Sequence, residues 1–396
     1  MKNKNLIIIL SVILIALVLR TPLTGVGAVM ATIKESLGIN NTVAGFITTL
    51  PLIAFAVVSP FVTVFSRKYG LEKILLFSTV LISIALLLRF YISIPVMFIT
   101  TFLIGVGIAV GNVLMPAFVK KYYPEKMGVM TGVYTVLMTL GAAISSAVAY
   151  PIVMSNINGK EFSLGLALNI AVVLSVLAAI LLLVLSKSSK VDKDQETEEK
   201  VKKVTNIFSN PKLYSITIFF GLQSAFFYSS VAWFGEIMID KGFSNTEAGL
   251  LLSVSQFAQF PATFAMPILA EKIKNRLAIP LFIFICYFVS SIGLIFVDKN
   301  LTMILICIVL FAFAGGGSFS YVMYLFSAKT NNIEEASLVS GVAQSGGYLL
   351  AAIYPPVLGY IADVSSWSAA LVLFVITSIV LLFAMIHISS KGNILK

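Results

Sequence analysis

The stretch Leu17-Val18-Leu19-Arg20-Thr21-Pro22-Leu23-Thr24-Gly25-Val26-Gly27-Ala28-Val29-Met30 closes an apolar run that begins near Leu6. As a helix rising 1.5 Å per residue, that run is long enough to cross a hydrocarbon core of about 30 Å. Arg20 falls near its middle. A cation at that depth costs roughly 2.5–3.5 kcal/mol on insertion scales, so it faces a bundle interior or a watery cavity rather than lipid. Arg20, Thr24 and Gly27 follow at i, i+4 and i+7, one face of a helix. Pro22 has no N–H to offer the carbonyl of Val18, and Gly25 and Gly27 open the backbone to close approach. One cation, one hydroxyl and a loosened backbone collect near mid-membrane, which makes Arg20 and Thr24 candidate solute ligands. A purely structural partner for the guanidinium is the alternative reading.

That run is one of twelve. Apolar segments of spanning length lie at 6–30, 42–65, 74–92, 96–118, 128–151 and 165–186, and again at 213–235, 246–269, 277–297, 301–327, 337–361 and 367–389. Apolar residues make up 59% of the 396 and charged residues only 11%, against roughly 25% charged in a soluble domain. The expected class is an all-α polytopic membrane protein. The net charge of +10 then reads through the positive-inside rule, not as a nucleic-acid patch, because the basic residues sit in short loops. With the N-terminus inside, 21 of the lysines and arginines fall in inner segments and 4 in outer loops. The expectation is a multi-pass protein of the cytoplasmic membrane with both termini in the cytosol. Cys286 and Cys307 both fall inside apolar runs, so no disulfide framework is expected.

The two sets of six echo each other. Gly38 and Asn41-Thr42-Val43-Ala44-Gly45 before and in span 2 match Gly242 and Asn245-Thr246-Glu247-Ala248-Gly249 at span 8. Thr131-Gly132-Val133 matches Ser340-Gly341-Val342, and Gly107 with Lys120 matches Gly316 with Lys329 at the same offset. Between the sets, 187–210 alternates Lys with Asp and Glu and reads as a solvated linker. The expected organisation is an N-terminal bundle at 1–186, a cytosolic linker at 187–210 and a C-terminal bundle at 211–396. Duplication of this kind is a signature of the major facilitator superfamily.

The motifs sharpen that resemblance. Span 1 carries Leu19-Arg20, Thr24 and Val26-Gly27; span 4 carries Gly105-Val-Gly-Ile-Ala-Val-Gly-Asn112-Val-Leu-Met-Pro116; Met130-Thr-Gly-Val-Tyr134 opens span 5. Span 7 has Gly221-Leu-Gln223-Ser224 with Phe227-Tyr228 and Trp233, and span 11 has Ser340-Gly-Val-Ala-Gln344-Ser-Gly-Gly-Tyr348. In this order the chain resembles, over nearly its whole length, the cyanate-porter family of that superfamily, which includes cyanate and 2-nitroimidazole transporters. The resemblance implies twelve transmembrane helices in two pseudo-symmetric six-helix bundles that rock about a central cavity lined by spans 1, 4, 7 and 10. The substrate-binding candidates it implies are Arg20, Thr24, Asn112, Gln223, Tyr228, Tyr321, Gln344 and Tyr348. The loop Ser66-Arg67-Lys68-Tyr69-Gly70-Leu71-Glu72-Lys73 looks like the family's gating motif, with Arg67, Lys68 and Glu72 as its charged members. Arg67 stands where the wider superfamily usually has Asp. Val18 and Ala28 also depart from relatives, which often have Asn and Pro there.

None of the seventeen Asp and Glu lies near the middle of a span. A guanidinium among amides and hydroxyls suits a small anion or a planar polarised solute, which it binds through two parallel hydrogen bonds. The leading expectation is secondary transport of a small anionic or polar solute, cyanate-like or nitroimidazole-like, by alternating access. Efflux of a neutral or nitroaromatic drug is one alternative, and a ligand sensor that moves nothing is another. No His/Asp pair, metal cluster or P-loop lies at a membrane face, so no catalytic residue, metal, cofactor or enzymatic activity is expected. His387 and Trp233 are poor site candidates, the latter an interfacial belt residue. The expected partners are the solute, a coupling proton or ion and the lipid bilayer, with the chain a monomer.

Overall fold

A computed structural model describes residues 2–39, 41–155, 157–188 and 207–394. Most of the expected linker, 187–210, lies outside these residues. In chain order the helices are α1 (Lys2–Val18), α2 (Thr21–Ala28), α3 (Met30–Leu37), α4 (Asn41–Tyr69) and α5 (Leu71–Leu88). Then come α6 (Ile94–Tyr122), α7 (Met127–Met154), α8 (Lys160–Leu168), α9 (Val172–Ser188) and α10 (Pro211–Asp240). The last five are α11 (Asn245–Lys272), α12 (Ala278–Phe296), α13 (Leu301–Ala328), α14 (Ile333–Val364) and α15 (Trp367–Ser389).

The first span is broken just before Pro22. Leu19 N–H still reaches the Ile15 carbonyl at 3.0 Å, and the chain then resumes with Leu23 and Thr24 N–H both on the Arg20 carbonyl, at 3.1 and 3.3 Å. The sixth span breaks too, between α8 and α9, where the Asn169 side-chain amide donates to the Gly165 carbonyl at 2.7 Å. Counting α1 with α2 and α8 with α9 as single crossings, the described residues give twelve spans. Eleven of them are apolar enough to be recognised by length and hydropathy alone. The twelfth is α11, whose interior carries Ser255, Gln256, Gln259 and Thr263 besides two prolines.

The repeats are visible in the backbone. Gly38 has φ 62 and Gly242 φ 87, both left-handed, and each stands just ahead of the helix that opens with Asn41 or Asn245. That conformation is open to Gly at little cost and strained for most other residues. In both halves a glycine of the fourth span lets it approach the second. A Cβ at Gly105 would meet Pro51 Cα at 2.9 Å, and one at Gly316 would overlap Gln259 and Thr263. Without a hydrophobic force between helices in lipid, such backbone-to-backbone contacts supply the packing.

The described residues divide into two compact units, one within 1–122 and 133–197 and the other within 123–132 and 198–396. The first has a buried cluster of Val26, Val29, Ile33, Ile47, Met97, Val153 and Leu164. The second is built round Phe226, stacked on Tyr287 at 4.2 Å and edge-on to Phe311 at 5.7 Å. Large apolar side chains are exposed along many helices, among them Phe77, Ile84 and Leu87 on α5 and Ile376 and Phe383 on α15. Water would not tolerate such faces, and acyl chains do.

Candidate substrate site

In the first unit the break of span 1 is held open by its neighbours. Ser145 on α7 donates to the Thr21 carbonyl at 2.9 Å, and Thr24 Oγ1 lies 3.2 Å from both the Ala142 and the Arg20 carbonyls. These bonds tie the break to α7. Arg20 occupies the break itself and is half-buried. Asn112 is buried on α6, beside Gly111, whose missing Cβ makes room for the Leu19 side chain. Arg20 and Thr24 thus lie in the break of span 1, and Asn112 follows Gly111 on the stretch of α6 that packs against Leu19.

In the second unit, α10 and α14 approach at Gly221 and Gly347, where a Cβ on Gly221 would come 3.0 Å from Gly347 Cα. Gln223 is buried on α10 and donates to the Phe220 carbonyl at 3.0 Å and to Ser224 at 2.6 Å. Across the contact Gln344 donates to Ser340 at 2.7 Å, and Tyr348 packs edge-on against Phe220 at 5.0 Å. Tyr228 is half-buried two turns along α10, against Phe227. Tyr321 is set apart from these. Its hydroxyl bonds Ser389 at 2.6 Å and its ring leans on Phe219. Trp233 donates to the Pro355 carbonyl at 2.8 Å, and His387 pairs with Ser215 at 2.6 Å.

The charged loop splits into two environments. Arg67 and Lys68 are exposed at the end of α4, the latter over the Tyr69 ring at 5.2 Å. Glu72 is buried in the first turn of α5, where Lys121 Nζ approaches it at 2.6 Å and Tyr122 donates to it at 2.5 Å. Glu72 thus ties the start of α5 to the end of α6. Those two partners lie 49 and 50 residues away, so no local pattern announces them.

Sequence reasoning missed two residues. Arg89, at the end of α5, is 1% exposed. It donates to Thr101 at 2.8 Å, to Thr100 at 3.4 Å and to the Pro22 carbonyl at 3.4 Å, which pins the broken first span from the side. The signal was present, since Arg89 is the other cation inside the spans. Tyr134 on α7 is fully buried, and its hydroxyl has no hydrogen-bond partner among the described residues. A buried hydroxyl of this kind calls for a water or a solute.

The family model of the major facilitator superfamily matches residues 12–286 and 213–392. The chain belongs to that superfamily. A Bacillus subtilis protein described as an uncharacterised transporter is 35% identical to this facilitator over 96% of it and 92% of the relative. The Escherichia coli 2-nitroimidazole transporter is 30% identical over 96% and 95%, and the E. coli cyanate transport protein 22% identical over 90% of each. The facilitator thus stands in the cyanate and 2-nitroimidazole branch that its motifs resemble. Its fold is that of the E. coli fucose:proton symporter, with a TM-score of 0.79, 13% identity, and 97% and 98% of the two chains covered. The facilitator is a multi-pass membrane transporter and not an enzyme.

Proposed function

We propose that the protein moves a small anionic or polar, planar solute, of the cyanate or nitroimidazole kind, by alternating access of its two bundles. The observation that carries this reading is Arg20, a half-buried guanidinium set in the break of the first span, one helical turn from Thr24. A planar cation with paired N–H donors matches a planar acceptor such as a nitro group or a cyanate. The further proposed ligands are Thr24 and Asn112 in the first unit and Gln223, Tyr228, Tyr321, Gln344 and Tyr348 in the second. A coupling proton or ion completes the cycle. The test is flux of labelled cyanate and of 2-nitroimidazole into proteoliposomes. Accumulation of either supports the reading, and binding without flux would make the protein a sensor. Efflux of a neutral or nitroaromatic drug is the second reading. It predicts that imposed gradients drive the solute out of right-side-out vesicles and not in.

Both termini are proposed to be cytosolic, on the basic bias of 21 to 4. Because Cys286 and Cys307 are buried, added cysteines give a clean readout. A Glu125→Cys variant is expected to react with an impermeant maleimide only after permeabilisation, and Glu161→Cys in intact cells. The reverse pattern would overturn the orientation.

Arg67, Lys68 and Glu72 are proposed as the gate. Arg67→Gln is expected to change the transport rate severalfold with affinity almost unmoved, because the exposed residue acts on the exchange between states. Glu72→Gln is expected to change the rate and also to cost about 1–3 kcal/mol, as Lys121 loses its buried partner but keeps some access to water. Weakened binding at an unaltered rate in both variants would remove the gate assignment.

A further inference from the structure

At the end of the second unit where α10 begins, a cleft of 510 Å³ opens between the C-termini of α11, α13 and α15 and the N-terminus of α12. Its walls include Lys274, Arg276, Lys329, Asn275, Asn393 and Tyr324. That volume is within the usual range for a small-molecule site, about 300–1,000 Å³.

Three cations share this space. Lys274 and Arg276 are exposed in the turn between α11 and α12 and make no ion pair or hydrogen bond with any described residue. Glu271 is near enough to act on Tyr324, yet it pairs with none of the three. The turn is fixed rather than loose: Asn275 accepts from Leu277 N–H at 3.0 Å through its side chain and from Ala278 N–H at 3.3 Å through its carbonyl. Arg276 is thereby held just ahead of α12, whose first N–H groups carry the positive end of a helix dipole. Lys329 is fixed as well. Its ammonium donates to the Ser390 carbonyl at 2.6 Å, while Ile394 N–H returns to the Lys329 carbonyl at 2.8 Å. Lys212 donates to the Lys391 and Gly392 carbonyls at 2.7 and 2.9 Å, so two lysines clamp the tail that forms one wall. Burial, and then the positive charges of Lys212 and Arg276, pull the Lys329 pKa down to about 8.

The negative ends of three helices account for part of this charge, since cations commonly cap C-termini. They do not account for Lys274 and Arg276, which donate to no helix carbonyl. An anion in the cleft would satisfy both and relieve the crowding at Lys329.

We propose that this cleft is a binding site for a phosphate-type oxyanion, with Arg276 and Lys274 as its direct ligands and Lys329 as a fixed positive wall. An arginine fork beside a lysine point charge is the usual pairing for such a group. The oxyanion has two sources, the headgroup of an anionic phospholipid or a soluble phosphate. Basic pockets at the ends of transmembrane helices take headgroups in this way.

The experiment uses the purified full-length chain in a neutral detergent. Thermal unfolding is followed with phosphatidylglycerol, with phosphatidylcholine, and with inorganic phosphate or glycerol 3-phosphate. Bound mass is read by native mass spectrometry. Phosphatidylglycerol or the soluble phosphates are expected to raise the melting temperature by several degrees, and phosphatidylcholine is not. In the Lys274→Gln, Arg276→Gln double variant half-saturation should rise at least tenfold. Lys187→Gln, a basic site elsewhere on the surface, should behave as wild type. A shift with phosphatidylglycerol alone assigns the site to a lipid, and a shift with soluble phosphate as well assigns it to a free oxyanion. No shift with any additive, or a shift that survives the double variant, overturns the proposal. Should the double variant not be recovered, Arg276→Gln alone decides on the same criterion. These readouts do not involve cyanate or nitroimidazole, so they stand or fall apart from the transport reading.

Discussion

Replacing Arg20 by alanine is expected to abolish solute binding, by a hundredfold or more, while the melting temperature stays within a few degrees of wild type. The guanidinium is half-buried in a helix break whose backbone is satisfied by other groups: Thr24, Ser145 and the Arg20 carbonyl's own two N–H donors. The break thus has anchors other than the Arg20 side chain. A charge in an apolar bundle costs roughly 2.5–3.5 kcal/mol, so its removal lifts a penalty at the same time as it ends whatever contacts the head group makes. Arg20→Lys keeps the charge and loses the fork, so binding weakened by about tenfold to a hundredfold is expected. Titration with labelled 2-nitroimidazole or cyanate and a melting curve on the same preparation separate the cases. Stable Arg20→Ala protein with unchanged affinity would end the substrate role of Arg20. A large fall in melting temperature with binding retained would make Arg20 structural.

The twelve crossings were legible because a bilayer imposes one length and one composition on every span, and even the polar α11 fits that length. The internal repeat was legible at the residue level. Gly38 and Gly242 recur because the same left-handed turn opens the second helix of each half. A loosened backbone at Pro22 was legible, but that the helix would part there was not, because α4, α6, α7, α11 and α14 run on through their own prolines. The break between α8 and α9 did not show, since no proline marks it; there the Asn169 side chain only adds a second donor to the Gly165 carbonyl, which keeps its bond from Asn169 N–H. Candidate ligands emerged as polar residues in apolar spans, and the structure groups them by unit: Arg20, Thr24 and Asn112 in one, Gln223, Gln344 and Tyr348 in the other. What sequence order concealed were long-range pairs. Glu72 looked like a companion of Arg67 and Lys68, five and four residues away, and its contacts are with Lys121 and Tyr122 instead. Arg89 was visible as a second cation in the spans, but its acceptors on α6 and α2 were not.

Arg89→Ala is expected to behave in the opposite manner to Arg20→Ala. Arg89 is buried to 1% exposure and divides its donors among Thr100 and Thr101 of α6 and the Pro22 carbonyl of α2. Truncation leaves three buried acceptors without that donor, at about 1–3 kcal/mol each, and a cavity the size of the lost side chain. Release of the guanidinium from its own desolvation offsets part of this. The net expectation is a loss of roughly 2–4 kcal/mol, read as a clear fall in melting temperature. Arg89→Lys should fall between, because one ammonium cannot span acceptors on separate helices. The effect should also reach the site, since Pro22 is two residues from Arg20 and its carbonyl is one of the three anchors. Protein that survives at low temperature is therefore expected to bind the solute several-fold more weakly, with Arg20 present but less well placed. Equal stability of wild type and Arg89→Ala would show that the guanidinium carries no structural load. Normal affinity in a destabilised Arg89→Ala protein would confine its role to packing and remove it from the positioning of Arg20.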